Sequence, residues 1–238
     1  MSLPKKNILA NYAGQAWSAL VNIAFIPLYI KYMGIEAYGL IGFFTTIQSL
    51  FVVVDMGLTT TMSREIARLL PLDNQKGEMY SVSKTLERIY WLLAVCFGVV
   101  VVFSAPLIIN RWLTIERITP ANATYAIILM GISFMLQLPS SVYSGGLMGL
   151  QKQILLNKIN IIVLTLRAFG AIAALMLFEN KIVAFFGWQV ISSAIQTFLM
   201  SYSFNRMLAI REKYHVRFRE TLVRIWRFTA GVSGTTFM

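Results

Sequence analysis

The chain has 238 residues, of which 57% are hydrophobic and only 13% charged, and a formal net charge of +11. Soluble domains carry about 25% charged residues, so this chain lacks the polar side chains needed to cover a water-facing surface, and a soluble globular fold is excluded. Its cations fall between apolar runs instead of along one face, which is a topology signal and not a nucleic-acid footprint, so no nucleic-acid partner is expected.

At about 20 apolar residues per crossing, the length accommodates about six membrane-spanning helices. In chain order the candidate spans are 8–30, 38–60, 89–110, 124–147, 159–178 and 182–204, with a seventh beginning near Phe228 and reaching the final Met238. These runs are far longer than barrel strands, and backbone in lipid must satisfy its own hydrogen bonds, so the expected class is an all-α integral membrane protein. Lys5 and Lys6 before the first run resemble the start of a signal peptide. That run is too long for a signal-peptide core and carries Asn11, Gln15 and Asn22, so it reads as a retained first helix. Pro27, Pro106 and Pro139 fall inside spans and predict kinks. The lone Cys96 lies in an apolar run, so neither an intramolecular disulfide nor a cysteine-based metal site can form.

Orientation follows from the alternate loops. One set holds Lys5, Lys6, Arg64, Arg68, Lys76, Lys84, Arg88, Lys152, Lys158, Arg206, Arg211, Lys213, Arg217, Arg219, Arg224 and Arg227; the other holds Lys31, Arg111, Arg117 and Lys181. The bias predicts a multi-pass protein with a cytoplasmic N-terminus. Within the basic segment, Met207, Ile210, Tyr214, Phe218, Leu222 and Ile225 recur at helical spacing. Two readings stand side by side: an amphipathic helix lying on membrane lipids, and an ordinary basic loop obeying the orientation rule. The expected organisation is a six-helix lobe over 1–204, a basic linker over 205–227 and the start of a further segment over 228–238.

Polar residues inside spans carry the functional signal. Asn11, Gln15, Ser18 and Asn22 step by three and four residues, which keeps them within an arc of about 60° on the first helix. The second span repeats this with Thr45, Gln48, Asp55 and Thr59, the fourth with Ser133, Gln137, Ser140 and Ser144, and the sixth with Gln189, Ser192, Ser193, Gln196 and Ser203. The third has no such stripe, which predicts a lipid-facing position. Any one stripe could be hydrogen-bonding glue between packed helices; four together point to a hydrated cavity. Two ionisable residues fall within spans, Asp55 and Arg167, each costing about 2.5–3.5 kcal/mol near the bilayer centre on insertion scales. Similar expected depths make an Asp55–Arg167 ion pair one reading of both. The sequence holds no cluster of His, Cys and carboxylates, no glycine-rich phosphate loop and no nucleophile elbow, so neither an enzyme nor a cofactor is expected.

Several segments taken as a set resemble a known family: Asn11-Tyr12, Pro27, Gly34-Ile35-Glu36-Ala37-Tyr38-Gly39-Leu40, Asp55-Met56-Gly57-Leu58, Arg64-Glu65, and Gly145-Gly146-Leu147-Met148-Gly149-Leu150-Gln151 leading to Asn160. The pattern resembles the polysaccharide-transporter flippases of the MOP superfamily, which move lipid-linked oligosaccharides, such as O-antigen units on undecaprenyl pyrophosphate, between membrane leaflets. The resemblance implies a bacterial inner (plasma) membrane and an N-terminal lobe that works with a C-terminal lobe by alternating access. It implies that Arg167 attracts the pyrophosphate and that Asp55 balances charge or binds a coupling cation. Asn11, Gln15, Asn22, Gln48, Gln137, Gln189 and Gln196 would then line the sugar path. A multidrug/cation antiporter of the same superfamily is the nearest alternative. A membrane-embedded polysaccharide polymerase or glycosyltransferase would require longer external loops than the one between Arg111 and Ala123.

Overall fold

The computed structural model describes residues 3–49, 55, 57–72, 75–111, 118–208, 214, 216 and 218–222. Its helices are α1 (Leu3–Met33), α2 (Ile35–Ser49), α3 (Leu58–Leu69), α4 (Lys76–Arg111), α5 (Pro120–Gln137), α6 (Ser140–Gly149), α7 (Gln153–Leu177) and α8 (Lys181–Leu208). No strand occurs among the described residues, and the chain is an all-α multi-pass membrane protein. Five stretches are long and apolar enough to cross a membrane: Asn11–Met33, Lys76–Ile109, Pro120–Gly149, Gln153–Leu177 and Lys181–Leu208. The expected seventh span and most of the basic linker lie outside the described residues.

The second expected span differs from a single continuous helix. α2 runs to Ser49, residues 50–54 and 56 lie outside the described residues, and Gly57 stands directly before α3 with φ of 77°. Glycine accepts this left-handed conformation without a Cβ clash, so it lets the chain leave one helical path and enter another. In the fourth expected span, Leu138 and Pro139 form a turn between α5 and α6, because the proline ring removes a backbone donor and crowds the preceding turn. Pro27 and Pro106 remain inside α1 and α4.

Helices also outrun the spans. α4 has 36 residues, about 54 Å at 1.5 Å per residue, against a hydrocarbon core of about 30 Å. The excess is at its Lys76 end, which the sequence reading assigned to a loop. There Val82 and Leu86 are fully buried, and together with Met62, Ile66, Leu147 and Phe204 they build a core cluster at the cation-rich end of the bundle. A second cluster lies toward the opposite end, around Phe44, Ile127, Phe134, Leu175 and Phe186. α1 joins the bundle through Val21 and Phe25, which pack on Ala168 of α7.

The third span, now α4, has two distinct faces. Ala94, Val101, Ala105 and Ile109 are buried, and an added Cβ at Gly98 would lie 3.0 Å from the Gly131 carbonyl of α5. The other face leaves Leu92, Val100, Leu107 and, at 78% exposure, Phe103 bare. Such a surface is stable against lipid and not against water.

Beyond α8, Tyr214 and Thr221 rest on protein. The Tyr214 ring lies 6.4 Å from that of Tyr80, and the buried Thr221 hydroxyl is 3.1 Å from that of Ser81. At these two residues the segment is held by α4.

Candidate functional site

Between the two apolar clusters lies a polar layer. Ile159 and Val163 of α7 belong to the first cluster and Ala171 and Leu175 to the second, which places Arg167 at the join. On α8 the same division falls between Phe186 and Met200, where Gln189, Ser192, Ser193 and Gln196 stand. On α5 it falls between Phe134 and Leu138, beside Ser133 and Gln137. Arg167 Nη2 donates to Gln196 Oε1 at 3.1 Å and to Ser193 Oγ at 3.4 Å. Gln48 of α2 donates to Gln137 at 3.2 Å. The helices therefore meet through amides and hydroxyls at mid-bundle, and Arg167 is the one described charge in that layer.

Arg167 and Asp55 do not pair. Asp55 accepts hydrogen bonds from Tyr90 OH and, at 2.6 Å, from Thr59 Oγ1, and those two hydroxyls lie 2.7 Å apart. Tyr90 is fully buried in the cluster at the cation-rich end, so Asp55 ties the start of α3 to α4 rather than neutralising the mid-bundle layer. The expected ion pair fails because the break at Gly57 redirects the chain, and depth counted along one unbroken helix no longer applies.

The stripe on α1 also departs from expectation. Asn11, Gln15 and Asn22 are exposed on the surface of the bundle instead of pointing into its interior. The α1 residues facing α7 are Gly14, Val21 and Phe25, and the amides sit about 80° round the helix from them. They are not isolated. Asn157 of α7 donates to Asn11, and Trp17 Nε1 donates to Thr165 at 3.0 Å, so the two helices run parallel in register. Asn160 and Arg167 are seven residues apart and share one face of α7, while Ile162, Phe169 and Met176 repeat every seven residues on the opposite, bare face. One side of the α1–α7 pair is thus an amide strip leading to Arg167, and the other is apolar.

Asn157 and Thr165 are absent from the sequence analysis, and Asn160 enters it only within the family pattern and not as a site residue. A fifth span that begins at Ile159 leaves Asn157 outside, yet Asn157, Asn160 and Arg167 stand at helical spacing. Among the described residues no group of three or more His, Cys, Asp or Glu side chains comes together as a metal site would require.

The fold and its polar layer define a multi-pass helical membrane protein whose span residues present both a lipid-suited and a hydrophilic side. The chain belongs to the polysaccharide biosynthesis protein family, which it matches over residues 5–238. Neither a curated protein nor a solved structure matches it.

Proposed function

We infer that the chain forms one lobe of a flippase that carries lipid-linked oligosaccharide, with a pyrophosphate-linked saccharide head, across a bacterial plasma membrane. The observation that carries this reading is the exposed amide strip of Asn11, Gln15, Asn22 and Asn160 on membrane-length helices, leading to an arginine with no ion-pair partner among the described residues. Exposed amides in hydrocarbon leave donors and acceptors unsatisfied. The strip therefore suits a hydrated path, and neutral amides suit the hydroxyls of sugars. The guanidinium supplies the charge that a pyrophosphate needs. Membership in the polysaccharide biosynthesis family supports the same substrate class. Alternating access requires a second lobe moving against this one, so a C-terminal lobe completes the path. Gln48 with Gln137, and Gln196 with Arg167, hold the mid-bundle layer together behind the strip, and Gln189 is buried in the same layer.

The test is binding of a fluorescent polyprenyl-pyrophosphate saccharide to the protein in lipid nanodiscs. Arg167→Ala should weaken binding by about tenfold or more, the loss of a charge-assisted hydrogen bond, whereas Arg167→Lys should retain part of it. An uncharged saccharide lipid should bind both variants alike. Wild-type affinity in Arg167→Ala would overturn the role of Arg167, and tighter binding of amphiphilic drug cations than of the saccharide lipid would favour a drug antiporter instead.

A further inference from the structure

α4 and α8 both pack on α5 and α6 and make no extensive contact with each other among the described residues. A furrow therefore runs between them on the side of the bundle that faces lipid. Its walls meet α5 at two places. An added Cβ at Gly98 of α4 would lie 3.0 Å from the Gly131 carbonyl, and the Thr197 hydroxyl of α8 donates to the Leu136 carbonyl. Ile132 falls on the arc of α5 between Gly131 and Leu136 and is only half-buried, so it forms the floor. Val95 stands one turn from Gly98 and Phe198 follows Thr197; both are exposed and line the two walls. Toward the cation-rich end the furrow is closed by Tyr143 of α6, whose hydroxyl interacts with Trp91 and Glu87 of α4 and with Ser201 of α8.

That bridge sits at the membrane boundary. Trp91 is about 30 Å of helix from the end of α4 at Arg111, and Ser201 is about 30 Å from the start of α8 at Lys181, which matches the thickness of the hydrocarbon core. Trp91 and Tyr202, whose ring stacks on Phe198 with centroids 6.3 Å apart, are placed as interfacial aromatics. One turn beyond Trp91 and on the same face stands Arg88, at headgroup level. It is exposed and makes no ion pair among the described residues, whereas Lys84 on that face is bound to Glu87 at 2.7 Å. One unpaired cation above an apolar furrow between membrane helices suits a lipid carrying one net negative phosphate; a zwitterionic headgroup brings a cation of its own. We propose that the furrow between α4 and α8 binds one anionic glycerophospholipid of the cytoplasmic leaflet, with its phosphate on Arg88 and an acyl chain over Val95, Ile132 and Phe198. The bound lipid joins two helices that scarcely touch. The site is separate from the amide strip, since neither α1 nor α7 makes extensive contact with α4.

The experiment titrates the purified chain in maltoside micelles with phosphatidylglycerol or phosphatidylcholine, counting retained lipid by native mass spectrometry and following thermal unfolding. A ligand that binds only the folded state raises Tm with its concentration. Phosphatidylglycerol should be retained at one per chain with a saturable rise in Tm, and phosphatidylcholine should give neither. Arg88→Gln should raise the half-saturating phosphatidylglycerol concentration about tenfold, as expected for losing a hydrogen bond between charged groups. Lys158→Gln, the same change of charge at an exposed position of α7, should leave it unaltered. Val95→Trp fills the furrow from an exposed position and should weaken retention with every cation still in place. Equal retention of the two lipids, or equal effects of Arg88→Gln and Lys158→Gln, would overturn the proposal. Displacement of the retained phosphatidylglycerol by polyprenyl pyrophosphate would also overturn it, by assigning Arg88 to the transported lipid. Failure of the substrate reading shows separately, as unchanged saccharide-lipid binding in Arg167→Ala, a variant that should keep its phosphatidylglycerol.

Discussion

At the scale of single residues, Arg167 and Asp55 carry their charges into separate surroundings. Arg167 is held by Ser193 and Gln196 in the mid-bundle layer, and Asp55 by Thr59 and Tyr90 beside the cluster at the cation-rich end. Because they share no partner, their substitutions should add: Asp55→Asn and Arg167→Gln in one chain should match the sum of the single variants to within about 0.5 kcal/mol. A double-mutant cycle on unfolding in micelles measures this, and a coupling well above that figure would restore the ion pair. Tyr90→Phe removes a donor from a half-buried carboxylate and leaves Thr59 as its remaining partner. It should cost about 1–3 kcal/mol of stability. An unchanged unfolding midpoint would show that water replaces the phenol there.

Helix backbones approach closely where α6 lies on α3. An added Cβ at Gly145 would stand 2.5 Å from the Thr59 carbonyl oxygen, and one at Gly149 would stand 2.5 Å from that of Ser63 and 2.8 Å from Ile66 Cβ. Backbone cannot yield as a side-chain tip can, so Gly145→Ala and Gly149→Ala should each destabilise by about 1–3 kcal/mol through overpacking. Gly42 on α2 is the control. Nothing lies within 4 Å of a Cβ placed there, and alanine is favoured over glycine in a helix by about 1 kcal/mol. Gly42→Ala should therefore be neutral or stabilising in the same assay. Surface ion pairs contribute less where α3 meets α4: Arg68 bridges Glu65 at 2.9 Å and Glu78 at 3.2 Å, yet exposed pairs are worth about 0–1 kcal/mol.

For the whole molecule, the asymmetry of charge makes an orientation prediction. Glu179 and Arg206 are both exposed and stand near opposite ends of α8, which has 28 residues, about 42 Å of helix and more than the hydrocarbon core spans. Cys96 is exposed on α4 and must first be replaced by serine. In that background, a membrane-impermeant maleimide applied to intact cells should label Glu179→Cys and spare Arg206→Cys, because the cation-rich end belongs in the cytoplasm. Labelling of Arg206→Cys in sealed cells would reverse the topology.

Much of the architecture was legible in the residues themselves. Lipid demands long apolar segments with internally bonded backbone, a local requirement written in composition, so the all-α class and the positions of α1, α4, α5 with α6, α7 and α8 could be read directly. Arg167 could be singled out in the same way, since a charge in an apolar run stands out without knowledge of its neighbours. Its partners could not. Whether Arg167 meets Asp55 or Gln196 depends on how α3, α7 and α8 are placed, and the left-handed Gly57 that redirects the chain into α3 is something periodicity does not register. The α1 stripe shows the same division. Its spacing put Asn11, Gln15 and Asn22 on one side of a helix, but only packing against α7 decided that this side is exposed beside Asn157 and Asn160. Helical phase is a property of one segment, whereas the direction a phase faces belongs to the pair of segments in contact.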